Sequence, residues 1–281
     1  MKKLVGGQAV IEGVMMKSDD FYAVSVRKPN GKIKTLRKKL NPITKRIKIL
    51  GWPFIRGTVV LVETLVLGLE TLSYSAKEAD DEEKPLSKFA LTATLLISFL
   101  IAIALFVLVP LYLTGLVVSD RGILFNIIDG IFRLAIFFAY ILAISAMKDV
   151  RRVFQYHGAE HMAVNCYEDD KELSVQNAMK YSPLHPRCGT AFLIIVLLIS
   201  IFVFTLITSP SMLVKFGGRI VLLPVIAGIS YEILRFTSKF RKNGFIKIVM
   251  QPGLWIQKLT TRKPDEKQVE VAVAALKAVL K

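Results

Sequence analysis

The stretch FALTATLLISFLIAIALFVLVPLYLTGLVV, Phe89 to Val118, runs for 30 residues without one charged side chain. At about 1.5 Å of rise per residue, roughly 20 apolar residues cross the ~30 Å hydrocarbon layer of a bilayer, so this segment reads as a transmembrane helix. Three further runs extend the pattern: Ile123 to Met147, Thr190 to Ser209, and Arg219 to Phe236, the last shorter and interrupted by Pro224 and Glu232. With 53% hydrophobic residues and a positive mean hydropathy, the chain is too apolar for an ordinary soluble domain. The expected fold is mainly α: a polytopic helical membrane protein with about four transmembrane helices and a small N-terminal β-hairpin region.

The flanking segments divide the chain. Residues 1–88 are expected to form an N-terminal region, 89–147 the first two spans, 148–189 a loop, 190–236 the last two spans, and 237–281 a basic tail. Tyr22 to Arg37 alternates apolar and polar residues around Pro29-Asn30-Gly31, and Asn-Gly between such segments predicts a hairpin. Ile55 to Leu72 is apolar but carries Arg56, Glu63 and Glu70 at seven-residue spacing on one helical face, which suits an interfacial or half-buried helix better than a span. Lys77 to Lys84 is a run of mixed charge read as a solvated linker. The chain is expected to turn irregular at Pro252-Gly253, and an amphipathic helix from Pro264-Asp265 to Lys281 is expected to pack on the cytoplasmic part or lie on the membrane.

The net charge of +16 is unevenly placed. Basic residues crowd the segment before the first span (Lys32, Lys34, Arg37, Lys38, Lys39, Lys45, Arg46, Lys48), the second-to-third connection (Lys148, Arg151, Arg152) and the tail (Lys239, Arg241, Lys242), whereas the other connections offer Arg121 and Lys215, with Arg219 at the edge of the fourth span. By the positive-inside rule, both termini and the middle loop are cytoplasmic in a multi-pass protein of the cell membrane. Met1 to Lys3 lead into Gly6, Gly7 and Glu12 instead of an apolar signal core, so the first span is expected to direct insertion. The implied partners of the basic face are membrane lipids with anionic headgroups. No nucleic-acid-binding motif accompanies the charge, and nucleic acid is not an expected partner. Within the spans, Asp129 and Arg133 are four apart and are read as an ion pair, while Glu232 has only Arg235 nearby.

Every histidine and cysteine falls in the middle loop: His157, His161, Cys166, His185 and Cys188. His157-Gly158-Ala159-Glu160-His161 is an H-x-x-E-H sequence, the order found in inverzincins. On a helix the two histidines lie one turn apart on one face, so both imidazoles can reach one metal ion. Glu160 beside them can serve as general base, taking a proton from a water that the ion has acidified. His185 and Cys188, in His185-Pro186-Arg187-Cys188-Gly189, are the local residues that would complete the ligand set; Glu168, Asp169, Glu172 and Glu232 are the carboxylate alternatives. The competing reading is a chance surface pair of histidines, and the clustering weighs against it. Cys166 reads as a small buried residue, since a cytoplasmic loop keeps its thiols reduced.

Gly6-Gly7-Gln8-Ala9-Val10-Ile11-Glu12-Gly13-Val14-Met15-Met16, Tyr156-His157-Gly158-Ala159-Glu160-His161 and His185-Pro186-Arg187-Cys188-Gly189-Thr190 resemble the YqhQ-like bacterial membrane proteins, a family of unknown function. The resemblance extends to Leu259-Thr260-Thr261 and Pro264-Asp265. It implies membership of a group labelled predicted metal-dependent enzymes without an agreed substrate, and a functional role for Gly6 to Met16. The residues of that opening allow a tight turn or a close backbone approach at Gly6-Gly7, and a carboxylate at Glu12 reaching the metal loop. The expectation is a metal-dependent hydrolase, a peptidase by analogy with other H-x-x-E-H enzymes, holding Zn²⁺ or another divalent transition metal through His157, His161, His185 and Cys188, with Glu160 catalytic. The alternative is a membrane scaffold or transporter with a structural zinc site. Three protein ligands and an open position would favour the enzyme, four the scaffold.

Overall fold

The computed structural model describes residues 3–80, 87–119, 122–240 and 243–281. The linker residues Asp81 to Lys84 and the basic residues Arg121, Arg241 and Lys242 lie outside them. The strands are β1 (Gly6–Val10), β2 (Gly13–Lys17), β3 (Phe21–Arg27) and β4 (Ile33–Lys39). The helices are α1 (Ile43–Arg46), α2 (Ile55–Ala79), α3 (Lys88–Ile103), α4 (Val109–Val117), α5 (Ile123–Ala146), α6 (Lys148–Glu168), α7 (Val175–Ala178), α8 (Gly189–Thr205), α9 (Met212–Lys239), α10 (Gly244–Thr260) and α11 (Glu266–Leu280).

Among the described residues, three helices are long and apolar enough to cross a membrane: Phe89–Val117, Ile123–Ala146 and Met212–Thr237. The first joins α3 to α4 through a wide π turn at Ala104–Leu108. Pro110 accounts for the widening, since its ring carries no N–H and crowds the carbonyl four residues back. The run from Thr190 to Ser209, expected as a fourth span, forms α8, whose 17 residues reach only about 25 Å. It stops early because the Ile207 carbonyl is taken by side chains, accepting from Asn126 Nδ2 at 3.0 Å and Lys215 Nζ at 2.9 Å, and Pro210 follows.

Charge inside this bundle is paired. Asp129 on α5 lies between Arg133 of the same helix, at 2.7 Å, and Arg219 of α9, also at 2.7 Å. Arg133 further donates to Ser200 Oγ, and both guanidinium groups sit against the Phe204 ring. The expected pair is thus a triad, and α9 starts seven residues earlier than the span read from Arg219. Lys215 and Arg219, counted in the sequence as charges of an outer connection, are buried among the helices. Glu232 pairs not with Arg235 but with Arg56 at the start of α2, in a two-pronged contact of 2.7 and 2.5 Å.

The N-terminal region is larger than one hairpin. The Asn-Gly turn joins β3 to β4, and a second hairpin, β1 to β2, adds to its edge, giving an antiparallel sheet in the order β1-β2-β3-β4. Successive side chains point to opposite faces, and both faces are covered. Val14, Met16 and Ala23 meet α6 and α11, while Met15, Tyr22 and Val24 meet Leu67 and Leu72 of α2. β2 is buried on both sides, so Val14, Met15 and Met16 follow one another without a polar residue between them. The C-terminal helix packs on protein: α11 lies against the sheet and α6 through Val269, Ala272 and Leu276, begun by an Asp265–Gln268 capping box. Pro252-Gly253 is not irregular; both residues lie inside α10.

Removing the carboxylate of Asp129 with Asp129→Ala strands two buried guanidinium groups and should destabilise the protein by about 3–5 kcal/mol. Thermal unfolding in detergent should show a large loss of Tm. Asp20→Ala, which breaks an exposed pair with Lys45, should leave it nearly unchanged.

Candidate metal centre

α6 leaves the end of α5 after a break at Met147 and carries Tyr156 to Cys166 into the space between the sheet and the helix bundle. His157 and His161 fall on one face of it, with ring centroids 4.4 Å apart. Cys188 caps the N-terminus of α8, its sulfur accepting from the Thr190 N–H. The fold thereby brings a donor atom from each of His157, His161 and Cys188 within 4.8 Å of the others. The His157 Nε2 to Cys188 Sγ distance is 3.1 Å.

The opposite ring nitrogens are fixed by carbonyl oxygens, which only accept. His157 Nδ1 therefore donates to Thr260 O at 2.8 Å and His161 Nδ1 to Pro183 O at 2.7 Å. Each imidazole is held in the tautomer whose Nε2 lone pair faces the cysteine, the arrangement that metal-binding histidines use. The close approach to Thr260 depends on Gly158, where a Cβ would collide with the Arg262 carbonyl oxygen. Burial holds the His161 imidazole below its ordinary pKa. Burial alone would raise the Cys188 thiol, but its contacts with His161 and Thr190 reverse the sign and lower it, towards the thiolate that a metal requires.

His185 does not join this group. Its Nδ1 accepts from the Arg187 N–H at 3.2 Å, and its Nε2 lies 3.5 Å from Glu168 Oε2. Glu168 is also paired with Arg187. The role of His185 is to shape the loop: its N–H and C=O are clamped by Gln257, each at 2.9 Å, which ties the turn to α10. Of the carboxylate alternatives, Glu168 and Glu232 are engaged as described, and among the described residues no carboxylate belongs to the donor group. Cys166 is a buried free thiol whose sulfur faces the Glu172 carbonyl.

Glu160 is buried between α6 and β1. Burial pushes its carboxyl up to about 8, opposed by the neighbouring His157 and by a hydrogen bond from the Gly7 N–H. Gly7 makes this possible, because a Cβ there would lie 3.0 Å from the Glu160 carboxylate. Glu12 reaches a different part of α6: it pairs with Arg152, one contact at 2.6 Å, and accepts from Tyr156 Oη at 3.2 Å. It fastens the β1–β2 turn to the helix and does not reach the donor group. A cavity of about 640 Å³ opens on the centre, lined by β1, by Val60 and Thr64 of α2, by His157, Glu160 and His161, and by Tyr231 and Leu234 of α9.

Residues 52–281, which include all three donors, match the family described as "Protein of unknown function (DUF1385)". The chain belongs to this family. It is 34% identical over 294 residues to "Uncharacterized protein YqhQ" of Bacillus subtilis (strain 168), a match covering 98% of this chain and 92% of the relative. No solved structure matches the chain. Neither family name states a reaction or a cofactor, so the chemistry rests on the geometry.

Two fixed imidazoles and a cysteine are a donor set suited to Zn²⁺ or a similar transition metal. Purified protein should take up about one such ion per chain, read by elemental analysis and by competition with a chromogenic chelator. His157→Ala, His161→Ala and Cys188→Ala should each lose most of the affinity, whereas His185→Ala should keep the ion bound. Equal loss in all four would place His185 among the ligands.

Proposed function

We propose that this protein is a metal-dependent hydrolase of the cell membrane, with its centre at the cytoplasmic face. The observation that carries the reading is the convergence of His157 Nε2, His161 Nε2 and Cys188 Sγ in fixed tautomers beside a cavity that Glu160 also lines. Three donors leave a position for water and substrate, whereas the scaffold alternative calls for a fourth, and the local histidine that could supply it is turned to Glu168.

A metal bound by this set would polarise a carbonyl or phosphoryl group and acidify a water molecule. The chain supplies the rest. In its ionised form, which a cation bound beside it would favour, Glu160 takes the proton from the attacking water and returns it to the leaving group, while the Gly7 N–H bonds its carboxylate. Thr260 and Pro183 hold the imidazoles through the reaction, and apolar side chains of α2 and α9 close one side of the cavity. A peptide bond and a lipid-linked ester both suit this chemistry.

Glu160→Gln preserves size and removes basicity. The variant should fold, insert and bind metal normally, yet lose about 10² to 10⁴ in rate, read as failure to complement a deletion strain. Full complementation by the metal-loaded variant would leave a structural metal site and remove the hydrolase.

For the topology, the distribution of basic residues supports both termini and residues 148–189 facing the cytoplasm, with α8 crossing as a short fourth span. In a protein lacking Cys166 and Cys188, single cysteines at the exposed Ser119 and Ser211 should react with a membrane-impermeant thiol reagent in intact cells. A cysteine at Asp170 should react only after lysis, and the reverse pattern would invert the assignment.

A further inference from the structure

The segment between β4 and α2 has a composition that a water-exposed loop does not tolerate. Ile43, Ile47, Ile49, Trp52 and Phe54 are all exposed, from 42% to 59%, within 12 residues. Lys45, Arg46 and Lys48 alternate with them and are exposed as well.

Its position in the fold is fixed from two sides. At its open end, the Ile43 N–H donates to Glu63 Oε1 at 2.6 Å, and Lys45 bonds Asp20 at 3.1 Å beside the sheet. At its tip, the Phe54 N–H reaches Glu232 Oε1 at 3.4 Å, Arg56 pairs with the same carboxylate, and Thr58 Oγ1 donates to the Pro224 carbonyl at 2.8 Å. Glu232 and Pro224 lie 5 and 13 residues inside the apolar span that ends at Thr237, or roughly 8 and 20 Å along α9. The chain from Ile43 therefore descends past Trp52-Pro53-Phe54 into the first turn of α2, where Thr58 makes the deepest contact, and returns along that helix to Glu63.

Backbone in hydrocarbon must satisfy its own polar groups, and this segment does so. The N–H groups of Leu50, Trp52 and Arg56 donate to the carbonyls of Ile47, Ile49 and Trp52; Phe54 has Glu232, and Pro53 has no N–H to satisfy. Phe54 adopts φ 66°, unusual for an aromatic residue, and is held there by the Glu232 contact.

We infer that Ile43 to Glu63 is a re-entrant wedge in the inner leaflet. Its tip, Trp52-Pro53-Phe54, lies among the upper acyl chains, and Arg46 and Lys48 bind the headgroups of anionic phospholipids. The occupant of the exposed apolar surface is lipid. The wedge is continuous through α2 with the wall of the cavity, so it fixes the depth at which the candidate centre meets the membrane. This rests on the membrane reading above.

Trp52 and Trp255 are the two tryptophans of the chain, so Trp255→Phe leaves Trp52 as the sole reporter. The full-length variant in phosphatidylcholine and phosphatidylglycerol vesicles should be quenched by lipids brominated high on the acyl chain, and little by aqueous iodide. Brominated phosphatidylglycerol should quench better than brominated phosphatidylcholine at equal mole fraction, with an enrichment near fivefold for each seated charge. Arg46→Gln with Lys48→Gln should abolish that preference and leave the quenching by phosphatidylcholine. Iodide quenching without bromolipid quenching would put Trp52 in water, and quenching by neither would mean that protein covers it; each overturns the wedge. A Leu100→Trp reporter in a Trp52→Phe, Trp255→Phe background, in the middle of the first span, separates the two readings. If deep bromolipid fails to quench it, the membrane reading falls; if it is quenched and Trp52 is not, the wedge alone falls.

Discussion

Two imidazole Nδ1–H groups on one helix donate to the carbonyls of two distant segments, and most of the architecture around the site follows from those bonds. His157 ties α6 to Thr260 at the end of α10, and His161 ties it to Pro183 in the loop that leads to α8. Carbonyl oxygens can only accept, so the same contacts that lock three chain segments together also fix both tautomers. A histidine that turned its ring would lose a cross-link as well as a donor. The α10 end is fixed a second time, by the Arg262 N–H to Phe154 O bond, and the loop by the Gln257 clamp on His185.

The first two spans and the Asn-Gly hairpin were legible because their signals are local: length without charge, alternation, and turn chemistry. Where the reading departs from the structure, the cause lies in contacts between segments far apart in the chain. Nothing in Thr190 to Ser209 announces that Lys215 and Asn126 will take the Ile207 carbonyl and end α8 early. Glu232 was read beside its sequence neighbour Arg235, yet its partner Arg56 comes from 176 residues away. The second hairpin was hidden because β2 is buried on both faces, which removes its alternation, and β1 opens with Gly6-Gly7, which carry no strand signal.

In the site, residue types were legible and their roles less so. His157, His161, Glu160 and Cys188 were found by clustering, which reports which residues gather but not which way each ring points. His185 belonged to the same cluster, and its separate position follows from a local bond, Arg187 N–H to its Nδ1, that turns the other nitrogen towards Glu168. Gly7 and Thr260 were flagged by the family resemblance, and Pro183 was not flagged; all three act through backbone atoms, which side-chain chemistry cannot point to. The positive-inside count likewise treated Lys215 and Arg219 as surface charges, although the triad around Asp129 draws Arg219 into the bundle.

The position of Glu160 bears on which class of protein this is. A buried carboxyl is costly unless something compensates it, and a fold selected only to hold a structural ion has no reason to keep one between an edge strand and the metal-binding face. Here the chain goes further: β1 presents a glycine so that its N–H can touch that carboxyl, and Glu12 pins the adjoining turn to Arg152 and Tyr156 on the same helix. The strand thus serves to hold Glu160, which lines a cavity shared with the three donor residues. A scaffold would be served as well by an apolar residue at position 160 and a closed wall. The cavity is bounded on its far side by Tyr231 and Leu234, on the helix that carries the Pro224 and Glu232 contacts, so the donor atoms and the segment from Phe54 to Thr58 are joined through α9.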